Sequence, residues 1–151
     1  MRIFFLLLGF LLLADICLAD SYLIDYANGR RLYAFDGTHL KSYRNGKRLW
    51  IVEGGYIKDY ATGRRLYAYD NEFLKDYATG RRRLAFDGRF VRDYSTGRRL
   101  IEFDGQHIKS YRSGRRVLIV DGMIPKPLAA LVTLQMLEPN MNKPLQDILL
   151  P

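Results

Sequence analysis

Asp59-Tyr60-Ala61-Thr62-Gly63-Arg64-Arg65-Leu66-Tyr67-Ala68-Tyr69-Asp70-Asn71-Glu72-Phe73-Leu74-Lys75 is one copy of a seventeen-residue unit that recurs six times without an insertion. Tyrosines stand at 26, 43, 60, 77, 94 and 111, and glycines at 29, 46, 63, 80, 97 and 114. A second turn signal recurs as Asp36-Gly37, Glu53-Gly54, Asp70-Asn71, Asp87-Gly88, Asp104-Gly105 and Asp121-Gly122. Each unit therefore carries two turns separated by two runs of about six β-favouring residues.

The turns set an expected register. Asp-Gly between apolar residues predicts a type I′ hairpin, whose two central positions need positive φ. Ala-Thr-Gly-Arg and Arg-Asn-Gly-Lys suit a type I turn closed by a glycine bulge. Folding about Asp36-Gly37 sets Phe35 opposite Thr38 and Tyr33 opposite Leu40. Folding about Ala61-Thr62-Gly63 sets Ile57 opposite Tyr67 and Asp59 opposite Arg65. Both turns assign the same repeat positions to the same face, which favours one antiparallel meander of about twelve short strands. A parallel β-solenoid with seventeen-residue coils shares the period, and would stack equivalent residues at ~4.8 Å.

One predicted face carries Tyr33, Trp50, Tyr67, Leu84 and Ile101 opposite Leu40, Ile57, Leu74, Val91 and Ile108, and ends in the pairs Arg48–Asp59, Arg65–Asp76 and Arg82–Asp93. It is the expected core. The other carries Arg30, Lys47, Arg64, Arg81, Arg98 and Arg115 beside the tyrosines, with Lys58, Lys75 and Arg92. It is the expected solvent face.

Beyond Asp121-Gly122 the pattern breaks at Pro125 and Pro127, and Leu128 to Leu137 predicts a short apolar helix stopped near Pro139. Twelve strands at ~4.8 Å make a sheet roughly 55 Å wide, whereas ten helical residues span about 15 Å. The helix is expected to cap one end, and the rest of the apolar face to be buried by coiling, by barrel closure or by a partner. The fold class is all-β, an antiparallel hairpin-repeat meander in a curled or open sheet with a short C-terminal helix. Residues 20–126 are expected to form the repeat domain, and 127–151 the helical cap and a tail from Asn140, expected to pack back through Leu145, Ile148, Leu149 and Leu150.

Met1-Arg2, the apolar run Ile3–Leu13 and the small residue Ala19 before Asp20 match a secretory signal peptide, 1–19, with cleavage expected after Ala19 and retention as an uncleaved anchor the alternative. Cleavage would remove Cys17, the only cysteine. The expected location is periplasmic or extracellular, where a thiol-free chain has nothing to misoxidise. The 151 residues carry 24 Lys and Arg against 16 Asp and Glu, and are 13% aromatic, which excludes an acidic disordered chain.

The sequence Tyr-x-x-Gly-Arg/Lys, an apolar run, Asp-Gly and an apolar-Lys strand resembles MORN-type repeats over residues 25–126, most closely at Tyr43-Arg44-Asn45-Gly46-Lys47 and Tyr60-Ala61-Thr62-Gly63-Arg64. It is especially similar to bacterial variants built from Tyr-x-x-Asn-Gly-Lys hairpins. A weaker similarity, through Tyr-x-x-x-Gly-Arg, is to the Tyr-Asp repeats of large bacterial shell-forming proteins. The unit here is shorter than the MORN unit and lacks its Gly-x-Trp and His-Gly steps. The resemblance implies an elongated hairpin scaffold that binds proteins or acidic lipids.

A regular cationic ladder attracts phosphate, sulfate or carboxylate polymers through an additive field and bidentate contacts. Arg30, Lys47, Arg64, Arg81, Arg98 and Arg115, with Lys58, Lys75, Arg92 and the tyrosines Tyr60, Tyr77 and Tyr94, are therefore the expected contacts for an acidic glycan, lipid or protein of the cell envelope. The bland alternative has the second arginine of each pair satisfying Asp59, Asp76 and Asp93, while the first stacks on its tyrosine. A membrane surface and self-association stay open, and the export signal argues against nucleic acid. His39 and His107 replace the aromatic found at Tyr56, Phe73 and Phe90, four repeats apart, so no metal or other cofactor is expected. The polar residues recur by structural rule and offer no unique nucleophile, base and orienting group, so no catalysis is expected. Two further readings are a protein-interaction module, structural or inhibitor-like, using the apolar face or sheet edge, and a lipid carrier using the inside of a curled sheet.

Overall fold

The computed structural model describes residues 19–138; the expected signal segment before Ala19 and the tail from Asn140 lie outside the described residues. The strands are β1 (Ser21–Asp25), β2 (Arg31–Phe35), β3 (His39–Ser42), β4 (Arg48–Glu53), β5 (Tyr56–Asp59) and β6 (Arg65–Tyr69), followed by β7 (Phe73–Asp76), β8 (Arg82–Asp87), β9 (Phe90–Asp93), β10 (Arg99–Asp104), β11 (His107–Ser110) and β12 (Arg116–Asp121). One helix, α1 (Lys126–Leu137), follows. Every neighbouring pair is antiparallel, so the chain is a meander and not a solenoid.

The expected open or curled sheet is corrected: β1 pairs with β12 and the sheet is a closed barrel. The seam is a repeat hairpin cut open. Leu118, Ile119, Val120 and Asp121 face Asp25, Ile24, Leu23 and Tyr22, the register in which Trp50, Ile51, Val52 and Glu53 face Asp59, Lys58, Ile57 and Tyr56. Tyr26 N–H donates to Val117 O across the seam at 3.0 Å, as Tyr60 N–H donates to Leu49 O.

Closure decides where the helix goes. Twelve strands at ~4.8 Å, tilted by roughly 40°, wrap a circle of radius about 12 Å, wider than inward side chains alone can fill. Pro127 to Leu134 are all buried, more than two turns and hence every side of the helix. Each of the twelve strands contributes a buried residue to the same core: Leu23, Phe35, Leu40, Trp50, Ile57, Tyr67, Leu74, Leu84, Val91, Ile101, Ile108 and Leu118. The helix therefore runs inside the barrel, and the expected end cap is corrected to a plug. Its twelve residues span about 18 Å, which matches strands of four to six residues.

The hairpin register differs from the expected one by a slide of two residues. Phe35 faces Leu40 rather than Thr38, and Tyr33 faces Ser42. Each Asp or Glu precedes the turn instead of occupying its centre. Asp36 Oδ1 accepts the N–H groups of Thr38 and His39, and Asp70 Oδ1 those of Glu72 and Phe73. Gly54 and Gly55, at φ 58° and 78°, are the central pair between β4 and β5. A slide of two keeps every side chain on its face, so the core assignment survives.

The other turn departs further. Ile57 faces Tyr67 as expected, but a bulge then sets Lys58, not Asp59, opposite Arg65. The core-face ion pairs Arg48–Asp59, Arg65–Asp76 and Arg82–Asp93 are accordingly corrected. The bulge turns each of these arginines to the outer wall, where its charge stays hydrated. Asp59 closes its own turn instead, accepting from Thr62 N at 3.0 Å and Thr62 Oγ1 at 2.5 Å.

The seam depends on one glycine. Gly122 has φ 96°, and a Cβ there would stand 2.4 Å from Ser21 Oγ, the atom that accepts Met123 N–H at 2.8 Å. Gly105, at φ 60°, faces open space. Strain alone costs about 1–3 kcal/mol. Gly122→Ala is therefore expected to cost more than Gly105→Ala in urea unfolding, by roughly 1 kcal/mol or more. Equal losses would show that the seam does not need this close approach.

Candidate functional site

Barrel closure turns the cationic ladder into a ring. The six Tyr-x-x-Gly turns all lie at one rim, and each holds its next residue by the same device. A side-chain oxygen two positions earlier accepts the backbone N–H: Asn28 for Arg30, Asn45 for Lys47, Thr62 for Arg64, Thr79 for Arg81, Thr96 for Arg98 and Ser113 for Arg115, at 2.9–3.3 Å. The backbone is pinned, and all six cationic residues are exposed. Among the described residues, Arg98 is the ring cation with an ion pair, to Glu138 at 3.9 Å.

Around the outside of this rim runs an aromatic girdle. Tyr26, Tyr43, Tyr60, Tyr77, Tyr94 and Tyr111 are exposed, and each meets an aromatic ring of the preceding unit edge-on. The second arginine of each turn fills the angle between the two. Arg65 Cζ lies 4.1 Å from the Tyr56 ring and 5.4 Å from the Tyr77 ring, and its guanidinium donates to Tyr77 Oη at 3.2 Å. Arg82 repeats this with Phe73 and Tyr94, and Arg31 stacks in the same way on Tyr22 and Tyr43. His39 and His107 take the aromatic place beside Tyr60 and Tyr26, the latter contact crossing the seam. The stacking partner is thus the second arginine, where the expectation had named the first.

The wall cations behave differently. Lys41 pairs with Asp36 at 2.9 Å and Lys109 with Asp104 at 2.5 Å, and Lys58–Glu53 and Arg92–Asp87 pair likewise. The paired ammonium holds the Asp104 carboxyl below the ordinary range, chiefly through its hydrogen bond. Lys58 and Arg92 are thereby matched with acids of the Asp-Gly hairpins. Lys75 shares their wall, and its charge helps to lower the Asp70 carboxyl, after the backbone hydrogen bonds that Asp70 accepts.

The charge distribution is therefore polar. Among the described residues, fifteen Lys and Arg and five Asp and Glu lie in or beside the Tyr-x-x-Gly rim, against seven and nine on the wall and Asp-Gly rim. Of the expected contacts, the structure brings together Arg30, Lys47, Arg64, Arg81, Arg98 and Arg115 with Tyr60, Tyr77 and Tyr94, and sets Lys58, Lys75 and Arg92 apart.

One residue of this rim escaped the sequence reading. The bulge position reads Leu32, Leu49, Leu66, Arg83, Leu100 and Val117 along the repeats. Arg83 breaks an apolar row, and aligning the six units on that row would have singled it out. Its charge acts on Tyr67, whose phenol burial pushes up to about 12 while Arg83 pulls the other way. No family model matches the chain, and neither the curated proteins nor the solved structures searched contain a match.

Proposed function

We propose that the protein is an exported, non-enzymatic repeat barrel that binds an acidic partner of the cell envelope (an anionic glycan, lipid or protein) end-on, through its basic, aromatic rim. The observation that carries this reading is the gathering of six exposed cations into one ring with pinned backbones. Converging charges add their fields at a common point, and guanidinium groups match phosphate, sulfate and carboxylate oxygens in pairs. Stacked arginines add stiffness, since each cation–π contact is worth about 0.5–1 kcal/mol at exposed sites. The implied MORN role, a scaffold for proteins or acidic lipids, agrees in ligand chemistry.

The other readings find less support. The strand order leaves β1 to β12 no unpaired edge to extend, and the apolar face that would hold a lipid surrounds the helix. Strands of four to six residues with cations on their outer wall also lack the ~9–11-residue length and apolar outer band of a membrane-spanning barrel.

Retention on immobilised dextran sulfate at rising salt tests the proposal. The protein is expected to be held at about 50 mM salt and released well below 1 M, as screening shortens the reach of its charges. Arg64→Ser, Arg81→Ser and Arg98→Ser combined are expected to weaken retention about tenfold or more, and Lys58→Ser with Arg92→Ser much less. Salt-resistant retention, equal in all three proteins, would sink the proposal.

A further inference from the structure

The seam breaks the repeat at the Asp-Gly rim. Along the wall, the fifth residue after each rim acid is a cation: Lys41 after Asp36, Lys58 after Glu53, Lys75 after Asp70, Arg92 after Asp87 and Lys109 after Asp104. All but the Asp70 pair are ion pairs. The last acid of the row, Asp121, has no hairpin to follow it, because the chain leaves the wall through Met123, Ile124 and Pro125 and enters α1. Its strand partner is β1, where Ile24 takes the place that Lys58 holds beside Glu53. Lys126, fifth after Asp121, instead donates its ammonium to Gly88 O at 2.6 Å and lies over the Phe103 ring. Asp121 and Asp20, which precedes β1, are both exposed. Among the described residues, neither carboxylate has a partner.

Where the turn is missing, a groove of about 920 Å³ lies open at the seam. That volume falls within the ~300–1,000 Å³ of small-molecule sites. Phe35, Met123, Ile124 and Pro125 form its apolar wall, and Asp20, Asp36 and Asp121 stand around it. Asp36 is matched by Lys41, and no Lys or Arg lines the groove, so two carboxylates are left uncompensated. Cleavage after Ala19 would put one ammonium on Asp20 and still leave an excess of one negative charge. Met123 is 88% exposed, an apolar side chain that the barrel itself does not use. In a protein of net charge +8, this groove carries the opposite sign. Carboxylates beside an apolar wall select a ligand that is itself divided, with a cationic head and a hydrocarbon body.

We propose that the seam groove binds an amphipathic amine, its ammonium between Asp20 and Asp121 and its hydrocarbon body along Phe35, Met123 and Ile124. The site stands at the rim opposite the cationic ring and shares no residue with it, so it does not rest on the polyanion reading.

Isothermal titration of the purified protein with octylammonium, butylammonium and octan-1-ol tests the site. Each buried methylene tightens binding about fourfold. Octylammonium is expected to saturate one site and to bind about tenfold or more tightly than butylammonium, whose body is four methylenes shorter. It is expected to bind about threefold more tightly than octan-1-ol, since exposed charges attract only modestly. Asp121→Asn removes a carboxylate that holds nothing in the barrel, and is expected to weaken octylammonium about threefold while leaving octan-1-ol and the melting temperature unchanged. Ile24→Lys restores the repeat's own cation and is expected to act in the same direction. Met123→Ser is expected to weaken both octyl compounds about fourfold or more. Absence of octylammonium binding, equal binding of butylammonium, or undiminished binding in both Asp121→Asn and Met123→Ser would overturn the assignment. Retention of Asp121→Asn on dextran sulfate is expected to equal the parent's, so the groove and the ring fail separately.

Discussion

Leu131→Asp is expected to abolish the cooperative thermal transition of the protein. Leu131 is 2% exposed, midway along a helix whose surroundings are contributed by all twelve strands. A carboxylate there would lose its hydration among the apolar side chains of the barrel core, a cost of several kcal/mol. Whole domains are stable by only about 5–15 kcal/mol. Leu131→Met keeps volume and apolarity and is expected to cost less than about 1.5 kcal/mol. Circular dichroism melts of the two variants separate the effect of charge from that of shape. A Leu131→Asp protein that melts like the parent would mean that the helix lies outside the barrel in solution.

Removal of one whole unit, Tyr60 to Asp76, is expected to leave a chain that cannot form a monomeric closed barrel. The deletion respects the repeat, so every remaining turn and strand keeps its local sequence. Ten strands would wrap a radius of about 10 Å in place of about 12 Å, reducing the lumen's cross-section by roughly 30%. The helix would stay the same size, and protein cores tolerate little overpacking. The expected result is precipitation or multimers on size-exclusion chromatography. A compact, stable monomer would show that the number of units is not set by the plug.

Much of this architecture was legible in the sequence. The period, the two turns, the antiparallel meander and the division into faces all follow from local chemistry: glycines at positive φ, apolar alternation, and aspartates that cap turns. Closure was harder to see because it is a property of the whole count, encoded in no single unit. Its one trace is Tyr22-Leu23-Ile24-Asp25, which occupies the repeat positions of the second strand of a hairpin with no first strand before it. That first strand is β12. The plug was misjudged because a helix of this length is small against a flat sheet, yet fits once the sheet is rolled. The six cations that follow the turn glycines were identified, but Arg83 was missed, and the bulge at Leu66 and its equivalents exchanged the roles of the two arginines.

The cut hairpin at the seam has a consequence for the order of events as the chain folds. β1 is the first strand made, and its closing partner ends about a hundred residues later, at Asp121. Until then a growing meander exposes two free edges and its entire apolar face, with the helix that fills it still to come. Each hairpin is local and quick to form, whereas the final clasp waits on the most distant contact in the barrel. The exposed interval, more than the finished barrel, is where self-association competes with folding. A chaperone would have to guard that interval alone, since the clasp, once made, hides both edges together.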